Sequence, residues 1–208
     1  SFGSATGTIG TNVGASVNWK PPLTLANQIP SATSGLCTIT CSSYNGGTLT
    51  GTRTCTVTLN VPATVVPSIS AVTVEDTNAT VVERIQAYVR LLSQLSVSIT
   101  AAGSYGSTIS SYRSSLDGVQ YTTASFTASK RLSTAGEMTL TVTVTDSRGR
   151  TATYTTTFTV LDYSYPSITL FKAERCNADG SAAQVDGTSV RYSFSGKVSA
   201  LNNKNGLS

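Results

Sequence analysis

Histidine is missing from all 208 residues of this chain. Without an imidazole to accept a proton, no Ser-His-Asp or Cys-His nucleophile system can be assembled. The four cysteines include no Cys-x-x-Cys pair, so the sequence offers no zinc ligand set. Charge is also scarce: 12% of residues are charged, against a usual ~25%. Residues 1–74 contain no Asp or Glu, and only Lys20 and Arg53 as cations. Among the carboxylates, only Glu75 and Asp76 are adjacent, and neighbours on a strand face opposite sides. The two converging carboxylates of a glycosidase are therefore not visible. The net charge of +4 includes no basic run beyond two residues, which argues against nucleic acid as a partner. No run of ~18 apolar residues could cross a membrane, and Ser1-Phe2-Gly3-Ser4 has none of the features of a signal peptide. The glycines from Gly3 to Gly14 lack the lysine of a phosphate loop. These absences predict a chain that is not an enzyme and takes no cofactor or metal.

What the chain has in abundance is Ser and Thr, together roughly 30% of residues, and alternation of period two. Cys37 to Cys41, Cys55 to Val61, Met138 to Val144 and Tyr154 to Val160 each switch between apolar and polar. Branched threonines on such a pattern suit half-buried strands. Residues 54–69, TCTVTLNVPATVVPSI, are echoed by residues 153–168, TYTTTFTVLDYSYPSI, so that Pro67-Ser68-Ile69 returns as Pro166-Ser167-Ile168. Such a period is the length of one immunoglobulin-like sandwich, ~100 residues. The sequence therefore predicts an all-β chain of tandem immunoglobulin-like β-sandwich modules. Residues 1–64 would be the C-terminal part of one module, 65–163 a complete module and 164–208 the N-terminal part of a third. On this reading the chain is an excerpt from a longer array.

Within the central module, Ile69 to Val74 and Leu95 to Ile99 read as strands. Ile109 to Leu116 and Val119 to Phe126 flank Asp117-Gly118, a two-residue hairpin turn. Asp146-Ser147-Arg148-Gly149-Arg150 reads as the turn between the last two strands, with Asp and Gly supplying the geometry. The hairpin around Tyr44 to Thr48 is expected to have the longer loop of the two. Thr80 to Leu92 is the exception, with Val82, Ile85, Val89 and Leu92 at helical spacing and Thr80 with Glu83 as a capping box. It predicts a short helix or crossover covering one edge of the sandwich. In the third module, Ile168 to Ala173 and Val190 to Phe194 read as strands.

Overlaying the repeats places Cys37 and Cys41 over Met138 and Val142, and Cys55 over Tyr154. These three cysteines are thus expected inside as free thiols, a Cys41–Cys55 bridge being the lesser alternative. Tyr105, Tyr112 and Tyr121 are the candidate ligand contacts, since their rings could stack on sugars; strand packing explains them as well. Asn78-Ala79-Thr80 matches a glycosylation sequon, and Trp19 is expected to pack on the first module's core.

Several phrases together resemble one family. These are Asn18-Trp19-Lys20-Pro21-Pro22-Leu23 continuing to Gln28-Ile29-Pro30-Ser31-Ala32-Thr33-Ser34-Gly35, Val61 to Ile69, Val144 to Thr151, and Ala200-Leu201-Asn202-Asn203-Lys204-Asn205. They are similar to the minor structural, tail-associated proteins of siphophages infecting Gram-positive bacteria. The resemblance implies tandem immunoglobulin-like modules in a virion, at or near the tail tip, that present host-binding parts. It implies other tail proteins or copies of itself as partners, with bacterial surface polysaccharide as a further one, and it supplies no catalytic residues. The alternative reading is a glycan- or receptor-binding module of a phage or bacterial surface adhesin.

Overall fold

A computed structural model describes residues 1–182 and 186–206. Twelve strands and two short helices are present among them. A 3-10 helix, Leu23–Gln28, precedes β1 (Ser34–Asn45) and β2 (Thr48–Asn60). Then come β3 (Ser68–Asp76), α1 (Ala79–Arg84), β4 (Tyr88–Val89), β5 (Leu95–Ala102), β6 (Ile109–Leu116), β7 (Val119–Tyr121) and β8 (Ser125–Thr127). β9 (Gly136–Asp146), β10 (Thr151–Leu161), β11 (Ser167–Cys176) and β12 (Ser189–Lys197) complete the chain. One sheet runs β4-β10-β9-β6-β7 and another β3-β5-β8, while β1-β2 and β11-β12 are two-stranded. The architecture is all-β and of the immunoglobulin-like sandwich class. Alternation sorts the side chains as the sequence predicts in β5 and β9, where Leu95, Val97, Ile99, Met138, Leu140, Val142 and Val144 are all buried; it does not in β2, which is exposed except at Leu59. Each such aliphatic contributes about 1.5–3 kcal/mol by leaving water.

Packing divides the chain into two compact units. One comprises Ser1–Thr73, Val97–Phe126 and Leu140–Thr156, the other Val74–Ser96, Thr127–Thr139 and Thr157–Ser208. The division falls inside strands β3, β5, β8, β9 and β10.

Local chemistry explains where expectation and structure part. The helix over 80–92 stops after six residues, because Gln86 and Leu91 take left-handed φ angles of 57° and 67° and Arg90 N–H donates to Leu161 O, beside the parallel pairing of β4 with β10. Asn78, not Thr80, caps it, its Oδ1 accepting from Val81 N–H at 3.4 Å. Val81 is accordingly the buried residue, and Val82 is exposed. Asp117 and Gly118, at φ 47° and 74°, make the expected left-handed turn between β6 and β7. The run after that turn divides into β7 and β8, and β8 joins the other sheet.

The β1–β2 loop is the shorter of the two hairpin loops. Gly46 and Gly47 both take positive φ, so Asn45 still pairs with Thr48, and a bulge at Ser43/Tyr44 absorbs the extra length. Four residues, 147–150, separate β9 from β10.

Candidate functional site: two arginines on one turn

The four-residue turn between β9 and β10 is fixed by the acid that opens it. Asp146 is 1% exposed, and its Oδ1 accepts the backbone N–H groups of Arg148 at 3.0 Å and Arg150 at 2.9 Å. Gly149, at φ 77°, donates its N–H to Asp146 O, and Asp146 N–H donates to Arg150 O. Hydrogen bonds to an ionised carboxylate are the stronger kind, so both arginine side chains leave from a rigid base.

Both side chains reach main-chain carbonyls. Arg148, only 7% exposed, donates from Nε to Ile29 O at 3.2 Å and from Nη1 to Ser104 O at 2.6 Å. Its Nη2 donates to Ala26 O at 2.8 Å and Tyr105 O at 2.6 Å. Arg150 donates from Nη2 to Val61 O at 2.6 Å and from Nη1 to Val65 O at 2.8 Å and to Pro62 O. The planar guanidinium, with five N–H groups in a fixed fork, is the side chain suited to bridging several acceptors at once. Ala26 and Ile29 lie at the C-terminal end of the 3-10 helix, where carbonyls carry partial negative charge; Ala26 O also accepts Ile29 N–H and Ile29 O accepts Ala32 N–H, so each guanidinium bond is a second one.

Smaller contacts back the forks. Ser147 Oγ donates to Pro30 O at 2.6 Å and accepts from Thr108 N–H at 3.2 Å, and Ser104 Oγ donates to Val66 O at 2.6 Å. Ala26, Val61 and Val65 form a small buried cluster with Ile29 against it. Gly106 takes φ 79°, a conformation that favours glycine, while a Cβ there would meet Asn27 Cα only at an ordinary contact distance of 3.4 Å.

In the second unit the β10–β11 connection is held by different chemistry. Leu201 is 6% exposed and shares a cluster with Val81 and Val89, with Ile85, Leu92, Leu161 and Tyr163 packed against it. Arg90 donates from Nη2 to Tyr163 O at 2.8 Å and pairs with Asp162 at 2.8 Å, while Lys204 Nζ donates to Ile85 O and Gln86 Oε1. One device recurs in both units. Ser104 Oγ donates to the linker carbonyl of Val66, just ahead of Pro67; Ser199 Oγ donates to Ser164 O at 3.3 Å and accepts from Ser164 N–H at 2.8 Å, just ahead of Pro166.

The three candidate tyrosines lie on different elements. Tyr105 sits in the loop before β6, in the left-handed region at φ 49°, and its carbonyl belongs to Arg148. Tyr112 lies on β6 opposite Val144. Tyr121 pairs with Ser114 on the next strand, and its ring stacks on Phe126 at 4.0 Å between centroids. Ile109, where β6 begins, and Ser114 are ~17 Å apart along a strand, which separates Tyr105 from Tyr121.

Of the three cysteines expected inside, only Cys37 is buried; Cys41 and Cys55 are exposed. β1 and β2 pair only with each other among the described strands, whereas β9 has a strand on either side. Cys41 faces Arg53 and Cys55 faces Ile39, so the two thiols are diagonal neighbours, and all four cysteines are free. Asn78 is occupied at both ends of its amide, with Nδ2 donating to Leu92 O. Trp19 is half-buried.

An open groove of about 720 Å³ lies elsewhere, in the second unit, lined by Val74, Glu75, Asp76, Val82, Gln86, Ala87 and Tyr88. Burial, with the charges of Asp76 and Glu75 beside it, raises the Tyr88 phenol above its ordinary 10.0; its hydroxyl donates to Val74 O at 3.0 Å. Among the described residues no cluster of three or more His, Cys, Asp or Glu could hold a metal, and no helix is long and apolar enough to cross a membrane.

The sequence shows the turn but not its acceptors, because backbone carbonyls carry no side-chain signature. One signal was available: two arginines flank a glycine in an Asp-anchored turn, in a chain whose first 74 residues contain no carboxylate to pair with them.

The fold and the turn together define an all-β protein whose two arginines bind carbonyls of the 3-10 helix and of the β2–β3 connection. The chain belongs to the family described as "Siphovirus protein of unknown function (DUF859)", whose model matches residues 1–189. No curated protein matches it. Among solved structures it is similar to the PKD1 domain of Vibrio anguillarum Epp, with 21% identity over 46% of this chain and 93% of that one and a TM-score of 0.33. The PKD1 domain of the Vibrio cholerae metalloprotease PrtV shows 23% identity, covers 46% and 96% of the respective chains, and has a TM-score of 0.32. The fibronectin(III)-like modules of Clostridium thermocellum CbhA show 15% identity, 64% and 80% coverage, and a TM-score of 0.31.

Proposed function

We propose that this siphovirus protein is a non-enzymatic structural component of the phage tail or tail tip. It acts as a spacer of tandem immunoglobulin-like modules that presents host-binding parts, in a phage of Gram-positive bacteria. The observation that carries the reading is the pair of guanidinium forks on carbonyls of residues 26–29 and 61–65. A spacer has to transmit position, and a linker tied down by partly buried cationic bonds has fewer conformations open to it than a free chain of the same length. Its partners are then other tail proteins or further copies of itself. Antibody raised against this chain and labelled with gold tests the assignment on purified virions. Label along the tail or at its tip supports it, and virions without label contradict it.

A second reading draws on the groove beside α1. Glu75, Asp76, Gln86 and Tyr88 offer carboxylate, amide and ring, a set suited to the hydroxyls of a bacterial surface polysaccharide. Saturable binding on a glycan array, lost in Tyr88→Ala, would favour this reading over the spacer alone.

A further inference from the structure

We propose that the Asp146–Arg150 turn docks backbone rather than sequence. Its partner is any upstream segment that brings the carbonyl end of a single helical turn and an extended, proline-bearing linker, whatever side chains that segment exposes. The proposal rests on reading this turn as a joint, and it names what the joint recognises.

Four observations carry it. Every acceptor used by Arg148 and Arg150 is a main-chain carbonyl, and so is the acceptor of Ser147 Oγ. Arg148 sits at the carbonyl end of the 3-10 helix and adds a second donor to Ala26 O and Ile29 O, which already accept the N–H groups of Ile29 and Ala32, from more than a hundred residues away; a guanidinium suits the partial negative charge of that end regardless of sequence. Residues 1–74 hold no Asp or Glu. A carboxylate there would offer either fork a stronger, bidentate acceptor and draw it off the carbonyls. Finally, the steric demands are few: a small residue at Ala26, which is 6% exposed, and ordinary contact of Asn27 with Gly106. Thr24, Ser31 and Thr64 are all exposed and free to vary.

Amide hydrogen exchange on the full chain, read by mass spectrometry, tests this. The triple variant Thr24→Gln, Ser31→Gln, Thr64→Gln is expected to exchange at wild-type rates in residues 23–31 and 61–66. Arg148→Lys, which replaces the fork by a point charge, is expected to exchange about tenfold faster or more in 23–31, with β5 and β9 unchanged. Arg150→Lys, on the less buried arginine, is expected to show the same effect in 61–66 alone and keeps the test readable if Arg148→Lys fails to fold. Faster exchange in the triple variant, matching the lysine variants, would mean that side chains are read and would overturn the proposal. So would lysine variants that exchange as wild type. Neither result bears on where gold label falls on the virion.

Discussion

Arg148 Nη2 donates to the carbonyl oxygen of Ala26 at 2.8 Å, across a sequence separation of 122 residues. The bond is buried and its donor is charged, a combination worth more than an ordinary hydrogen bond, and it adds a second donor to a carbonyl that already accepts Ile29 N–H.

Truncating the donor should therefore be costly. Arg148→Ala removes four bonds to carbonyls at once and is expected to destabilise the chain by about 3 kcal/mol or more. Urea unfolding would show this as a lower midpoint. A midpoint unchanged from wild type would mean that water satisfies those carbonyls equally well.

Asp146 acts through the turn it organises. Asp146→Ala loses both acceptor bonds to the arginine N–H groups and is expected to cost about 2–3 kcal/mol. Asp146→Asn keeps a carbonyl oxygen at the site and should lose less. Equal losses in the two variants would show that the charge, rather than the acceptor geometry, holds the turn.

In the second unit the linker depends on apolar packing. Leu201→Ala opens a cavity among Val81, Val89, Ile85 and Leu161 and is expected to cost about 2–4 kcal/mol. Lys204→Ala, on the exposed neighbour, should change stability by less than about 0.5 kcal/mol. Thermal unfolding of the two variants would rank them, and a larger loss for Lys204→Ala would mean that the Leu201 cluster is not what holds this segment.

The thiols provide a direct check on burial. Cys41 and Cys55 should react at once with a thiol reagent in the folded protein, and Cys37 and Cys176 only after unfolding. Four immediate reactions would mean that the buried pair is not protected.

Tyr88 sets a pH dependence at the alkaline end. Its folded-state phenol is held above the ordinary value by burial and by Asp76 and Glu75. The folded chain therefore keeps a proton that the unfolded chain releases near pH ~10. Stability from this group is full below that pH and falls as pH rises through the raised value. A spectroscopic tyrosine titration should show a late-ionising ring that disappears in Tyr88→Phe; an identical titration in the variant would remove the effect.

Much of the fold was legible because alternation and turn residues are local. Met138 to Val144 declares which side of β9 is buried, and Asp117-Gly118 declares its turn. The segment after Asn78 was half legible: helical spacing was present, but strand pairing of Val89 beside β10 is a long-range contact that local periodicity cannot weigh. Cys41 and Cys55 were misplaced because the repeat supplies an inward direction along the strand and says nothing about what covers it. The Arg148 and Arg150 forks were invisible as a site for a different reason, since their acceptors are carbonyls that every residue possesses. Tyr105, singled out for its ring, contributes through its backbone oxygen instead.

Immobilisation of the linker by the two arginines is tested most directly by backbone dynamics at Val65 and Val66. Heteronuclear NOE values for these amides in the wild-type chain are expected to match those of β5 and β9, and to fall well below them in an Arg148→Ala, Arg150→Ala double variant. Low values already present in the wild type, or values unchanged in the double variant, would contradict it.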